Sequence, residues 1–278
     1  MSGESKYSTS YLKAQRPQRG FSPDLTPPQP QRREAPTSYP MPLQNELLLI
    51  ASIFVFFGGL VAFFRFFGKQ GIFAWTVICT IAANIEVLIL VHAFGLDTTL
   101  GNVIFASTFL ATDIMSEIFG KKEASRCVKI GILANVTFIL ISQSWFLYIP
   151  AAGDTMAEPI RTVFANTPRV MLASLFAYAI CEMFDVWAYH AWWKWSEKKF
   201  GDKKGYLWLR NNGSTLVSQL INVVVFNLLA FVGVFPWNTI GEILVFGYGI
   251  FIVTSLMDTP FVYLARRIAE KHPELLKD

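Results

Sequence analysis

Seven runs of apolar residues leave this chain few ways to fold. They lie at Leu47–Phe67, Ile72–Phe94, Asn102–Phe119, Val128–Ile149, Arg169–Trp193, Ser214–Phe235 and Ile240–Ala265. Each is close to the ~20 residues that a helix needs to cross a bilayer. Backbone polar groups in hydrocarbon must pair within their own segment, so such runs are expected to be helices. Of the 278 residues 53% are hydrophobic and only 16% charged, against about 25% charged in soluble domains. That excludes a soluble enzyme core. The predicted fold is all-α, a polytopic membrane bundle of seven transmembrane helices, or six if the first run does not cross.

Three regions follow. Residues 1–45 hold eight of the fourteen prolines, with many Ser, Gln and Arg, and are expected to form a disordered tail. No apolar core precedes a small-residue cleavage site, so the tail does not read as a secretory signal. Residues 46–70 supply one helix, and residues 71–278 the main membrane domain.

Loop charge sets orientation. The connections after helices one, three and five, with the C-terminal tail, carry sixteen Lys and Arg, among them Lys121, Lys122, Lys198, Lys199, Arg210 and Arg266. The alternate connections carry Arg161 and Arg169 alone. The positive-inside rule places the basic connections in the cytoplasm. The net charge of +4 is small and the basic residues sit in loops, which points to membrane orientation and not to nucleic acid. Cys79, Cys127 and Cys181 show neither pairing nor metal-ligand spacing and read as small buried hydrophobes.

The stretch Phe105–Arg126 carries the functional signal. Asp113 and Glu117 stand one helical turn apart inside an apolar run, where each carboxylate costs roughly 2.5–3.5 kcal/mol. Counting 1.5 Å per residue, Asp113 lies roughly 10 Å from the cytoplasmic edge, Asn222 and Asp258 roughly 12 Å, and Asp185 roughly 14 Å. Four helices thus bring polar groups to one depth, near the midplane where carriers hold substrate. Interhelical hydrogen bonding alone is usually made with Ser, Thr, Asn or Gln, and three Asp with a neighbouring Glu exceed that need. Ser218 and Gln219 extend the stripe that carries Asn222 on helix six, Glu182 and Tyr189 extend that of Asp185, and Asn84 on helix two joins the candidate set. No HExxH, GxSxG or Walker A sequence is present, so no catalytic residue, metal ligand or cofactor is assigned.

Four blocks, FLATDIMSEIFGKKEASR, RVMLASLFAYAICEMFDVWAYH, LWLRNNGSTLVSQLIN and SLMDTPFVYL, resemble the queuosine-precursor transporters, also called the vitamin-uptake-transporter family. The resemblance runs from about Ile72 to the C-terminus. It implies a multi-pass protein of the bacterial inner membrane that imports 7-deazaguanines (cyano- or aminomethyl-deazaguanine, or queuine) for tRNA queuosine. Where family members usually read SQLIDT, this chain has Asn222 followed by Val223. Many members have six spans, so the first helix and the tail are additional here. A guanine-like edge offers two adjacent donors that a carboxylate accepts, and the flat ring suits an aromatic or apolar slot. Asp113, Glu117, Asp185, Gln219, Asn222 and Asp258 are the expected polar half, with Ser218 and Asn84 beside them. Expected partners are therefore the base and the lipid bilayer, with no nucleic acid; a homo-oligomer stays open. Two alternatives remain: a substrate-binding subunit docked on an energising ATPase, and an intramembrane enzyme or receptor.

Overall fold

The computed structural model describes residues 43–94, 96–164, 168–201 and 205–276. The tail expected at 1–45 lies outside them except for its last three residues, which already belong to a helix. The chain divides into Met1–Pro40 and Met41–Asp278, and everything below concerns the second unit.

The first helix, α1, spans Leu43–Glu86, but its backbone breaks at Gly68 with φ 57° and ψ −140°, a conformation that favours glycine. The two arms, 43–67 and 69–86, fold back on each other. Phe63 meets Trp75 at 5.0 Å between ring centroids, and a Cβ on Gly71 would collide with the Phe63 carbonyl. The second arm stops at Glu86, short of the expected Phe94. A hairpin follows, β1 (Leu90–Ala93) and β2 (Leu96–Thr99), antiparallel with Leu90 opposite Thr99. Asp97 and the β-branched Thr98 and Thr99 are poor helix formers, and the two threonines suit a strand. The hairpin ties back to the start of α1: the Phe94 amide donates to Glu46 Oε1 at 2.8 Å, and Asn45 Nδ2 to the His92 carbonyl at 2.9 Å. The all-α expectation is corrected to that extent.

Helix α2 covers Gly101–Ile118 and buries fourteen of its eighteen residues. The third apolar run, the shortest and most polar, is therefore a regular helix at the centre of the bundle. Gly120, at φ 81°, separates it from α3 (Lys121–Ser144). A short helix α4 (Ala157–Phe164) precedes α5 (Pro168–Phe200), α6 (Leu207–Phe231) and α7 (Trp237–Lys271). Pro168 opens α5 and Pro236 precedes α7, positions where the missing N–H loses no helical hydrogen bond. Helices α3, α5, α6 and α7 all reach beyond the apolar runs into the flanking basic residues. Much of the basic sequence expected in loops is thus helical.

Among the described residues five helices are long and apolar enough to cross a membrane: α1, α3 (with the turn after it), α5, α6 and α7. Their outward faces carry exposed Leu133, Leu140, Val245, Val253 and Leu256, as a lipid solvent allows. Arg169, at the start of α5, donates to the carbonyls of Leu229 and Val232 at the end of α6, so the two helices run antiparallel. The ends holding Lys121, Lys199 and Lys271 are called the basic end below, and the opposite one the hairpin end.

Candidate functional site

Helix α6 begins LWLRNNGSTLVSQLIN, an unusually polar sequence for a helix whose Asn211, Asn212, Ser214, Thr215, Ser218, Gln219 and Asn222 are all buried. Spacings of four, three and four residues put Asn211, Thr215, Ser218 and Asn222 on one stripe. Each of these meets a different group on the surrounding helices. Asn211 Nδ2 donates to Asp258 Oδ1 on α7 at 2.7 Å. Thr215 Oγ1 donates to Asp113 Oδ2 on α2 at 3.1 Å. Ser218 Oγ donates to Asp185 Oδ1 on α5 at 2.8 Å. Asn222 Oδ1 accepts from Cys181 on α5 at 3.6 Å, and its amide donates weakly to Gln219 at 3.4 Å.

The structure therefore brings Asp113, Asp185 and Asp258 together along one face of α6, with Ser218, Gln219 and Asn222 beside them. Asp113 and Asp185 are fully buried and Asp258 is 2% exposed. Among the described residues no ion pair reaches any of the three; their donors are neutral hydroxyls and an amide, and the Asp113 and Asp185 carboxyls lie against each other. Asp113 Oδ1 and Asp185 Oδ2 have no hydrogen-bond partner there. Two buried carboxyl oxygens on neighbouring helices therefore keep hydrogen-bonding capacity. Pro260, two residues beyond Asp258 inside α7, removes one rung of that helix close to the same level.

Glu117 is placed otherwise. It is answered by Arg210 of α6 at 2.6 Å, Arg266 of α7 at 3.3 Å and the Tyr189 hydroxyl of α5 at 2.8 Å. Arg210 is 1% exposed; it also donates to the Gly205 carbonyl at 2.7 Å and lies over the Trp193 ring at 4.3 Å. Loop charge alone counted this arginine as a solvated cytoplasmic residue. The signal that locates it is its position three residues into α6, one turn before the buried Ser214 on the same side. Asn84 is also apart from the acidic group: its amide donates to the Thr80 carbonyl at 2.7 Å and to Asn135 Oδ1 of α3 at 3.2 Å.

Sequence reasoning placed Glu182 on the stripe of Asp185 without adding it to the expected site, and passed over Asn211, Asn212 and Thr215. Glu182, fully buried, accepts from Thr108 at 2.7 Å and Thr112 at 3.0 Å on α2. Asn212 donates to Thr259 at 2.7 Å and draws α6 onto α7. Thr215 and Asn211 are short polar residues indistinguishable by type from interhelical packing. Their role emerges only from the carboxylates they face. Among the described residues no group of three His, Cys, Asp or Glu is arranged to hold a metal ion.

Comparison with known proteins places this geometry. The sequence profile of a family described as "Putative vitamin uptake transporter" matches residues 99–265, a segment that contains α2, α5, α6 and most of α7. A Bacillus subtilis (strain 168) protein named "Probable queuosine precursor transporter" is 36% identical over 206 residues, covering 74% of this chain and 88% of the relative. No solved structure matches. Every carboxylate of the acidic group, and Glu117 with Arg210, falls within the profile match, and the chain belongs to the family of vitamin-uptake and queuosine-precursor transporters.

Proposed function

We propose that this protein imports a 7-deazaguanine precursor of queuosine across a bacterial inner membrane. In this reading it crosses the membrane seven times: twice through the arms of α1, then through α2, α3, α5, α6 and α7, with the basic end in the cytoplasm. The observation that carries the reading is the stripe on α6, which holds three buried aspartates of three other helices along two helical turns with no neutralising cation among the described residues. Asp113 Oδ1 and Asp185 Oδ2 accept the N1–H and exocyclic amine of the base, and Gln219 and Asn222 serve its carbonyl. Asp258, held by Asn211, sits beside them and sets the charge of the chamber. The Glu117 cluster lies one turn nearer the cytoplasm than Asp113 and closes that side. Binding at the midplane between helices that can part is the usual arrangement of a carrier.

Proteoliposomes that contain only this protein provide the test. Saturable uptake of labelled queuine or cyano-deazaguanine, blocked by unlabelled base, is expected. Uptake that requires an added ATPase module would assign the chain as a substrate-binding subunit instead. Absence of binding to any 7-deazaguanine would overturn the reading.

A further inference from the structure

Three helices of the acidic site repeat a second pattern nearer the hairpin end. Tyr178 and Asp185 on α5, and Phe251 and Asp258 on α7, are each seven residues apart, two turns along one face and about 10 Å. On α2, Phe105 precedes Asp113 by eight, about 12 Å. The three rings meet. Phe105 lies 6.0 Å from Tyr178 and 6.3 Å from Phe251 between centroids, and Phe109 supports it at 5.5 Å. Tyr178 is 1% exposed and Phe251 4%.

Two independent features mark this layer as more than filler. The Tyr178 hydroxyl is buried with the Thr80 side chain as its polar neighbour, and it lies so close to α3 that a Cβ on Gly131 would collide with it. A core that needed only volume would take Phe here and keep no polar atom. In addition, an apolar cavity of about 460 Å³ flanks the layer between α1, the hairpin, α2 and α7, its wall running along α7 from Phe246 to Met257. Its wall includes Val103 and Thr254, two and three residues from Phe105 and Phe251.

We infer that Phe105, Tyr178 and Phe251 form the outer wall of the transport chamber: the barrier between the hairpin end and the acidic site, and the aromatic face on which a planar heteroaromatic ligand stacks. The stacking role rests on the function proposed above; the barrier role does not. The Glu117 cluster is the matching barrier at the basic end. The carboxylates are thus enclosed between an aromatic layer that holds by ring contacts and an ionic layer that holds by charge.

Cys181 is a native reporter for this arrangement. It lies three residues past Tyr178 and four before Asp185, and it is fully buried. With Cys79 and Cys127 replaced by Ala, a membrane-impermeant methanethiosulfonate applied to the periplasmic side of the full-length protein in membranes is expected to modify Cys181 slowly. Phe105→Ala, and the milder Phe105→Leu, are expected to raise that rate at least about tenfold. Glu117→Gln is expected to raise it only for reagent applied from the cytoplasmic side. A rate unchanged by both Phe105 variants, or raised equally from both sides, overturns the barrier. For the stacking role, Phe105→Leu is expected to weaken binding of queuine by roughly tenfold, the scale of one lost stacking face, while Phe105→Tyr retains it. Equal affinity in both variants overturns the stacking. Should the wild type bind no 7-deazaguanine, the proposed function fails, and the modification rates still decide the barrier.

Discussion

Asp113 and Glu117 stand one turn apart on α2 and have opposite surroundings. Asp113 receives one hydroxyl hydrogen bond and keeps an oxygen without a partner among the described residues. Glu117 receives two guanidinium groups and a phenol. Both are buried carboxyl groups on the same helix, so burial alone does not distinguish a ligand site from a structural one. Compensation does. A carboxylate surrounded by bidentate arginine has little capacity left for a ligand, and it joins α2, α5, α6 and α7 at one point. A carboxylate left with neutral donors retains acceptor capacity and an unbalanced charge, which is costly to keep in a membrane without use. In the proposed reading, four residues of sequence separate the part that holds the bundle shut from the part that binds.

The largest effect is expected where compensation is complete. Glu117→Ala leaves Arg210 buried without its counter-charge, which costs about 3–5 kcal/mol. Thermal unfolding in detergent is expected to show a marked loss of stability. Arg210→Met combined with Glu117→Leu is expected to recover much of it, because an apolar pair of similar volume often equals a buried ion pair. If the single variant is as stable as wild type, the cluster does not hold these helices together.

Asp113→Asn is expected to give the reverse profile. The shape and the Thr215 contact survive, so folding changes little. Uptake is expected to fall by about 10- to 100-fold, since a hydrogen bond to a charged group is worth roughly 1.5–3 kcal/mol. Normal transport by a well-expressed variant would place the substrate elsewhere.

How much of this was legible in the sequence follows the same division. Apolar length located the helices, and the Asp residues stood out because charge inside an apolar run is rare. Periodicity put Asp113 and Glu117 on one face and so treated them alike, and nothing in one helix says what lies opposite. Arg210 separates them, and it sits among the basic residues that the orientation argument assigns to a loop. The β-hairpin was hidden for a different reason. Leu88, Ile89, Leu90 and Val91 continue the hydropathy of the helix before them, and period alone does not distinguish a short buried strand from a helix end.

Thr215→Val sharpens the comparison from the side of α6. It removes the one donor to Asp113 and keeps the side-chain shape. A loss of about 1 kcal/mol in stability or affinity is expected, roughly fivefold in binding. Ser218→Ala is expected to act on Asp185 to a similar extent. If both are silent while Asp113→Asn is not, the stripe orients nothing, and the aspartates act independently of α6.

Asn222 offers the smallest and most selective effect. Its side chain is 6% exposed, yet its two contacts are weak, a thiol at 3.6 Å and an amide at 3.4 Å. Interhelical hydrogen bonds in membranes average about 0.6 kcal/mol, so Asn222→Asp is expected to fold normally. What it changes is charge at the end of a stripe that already holds three aspartates. Aminomethyl-deazaguanine carries a cationic ammonium and cyano-deazaguanine does not, so an added carboxylate favours the former. The ratio of their KM values in proteoliposome uptake is expected to shift severalfold toward the cationic base, and Asn222→Leu is expected not to reproduce the shift. An unchanged ratio in Asn222→Asp, together with normal transport by Asn222→Leu, would make Asn222 a packing residue and end the substrate stripe at Gln219.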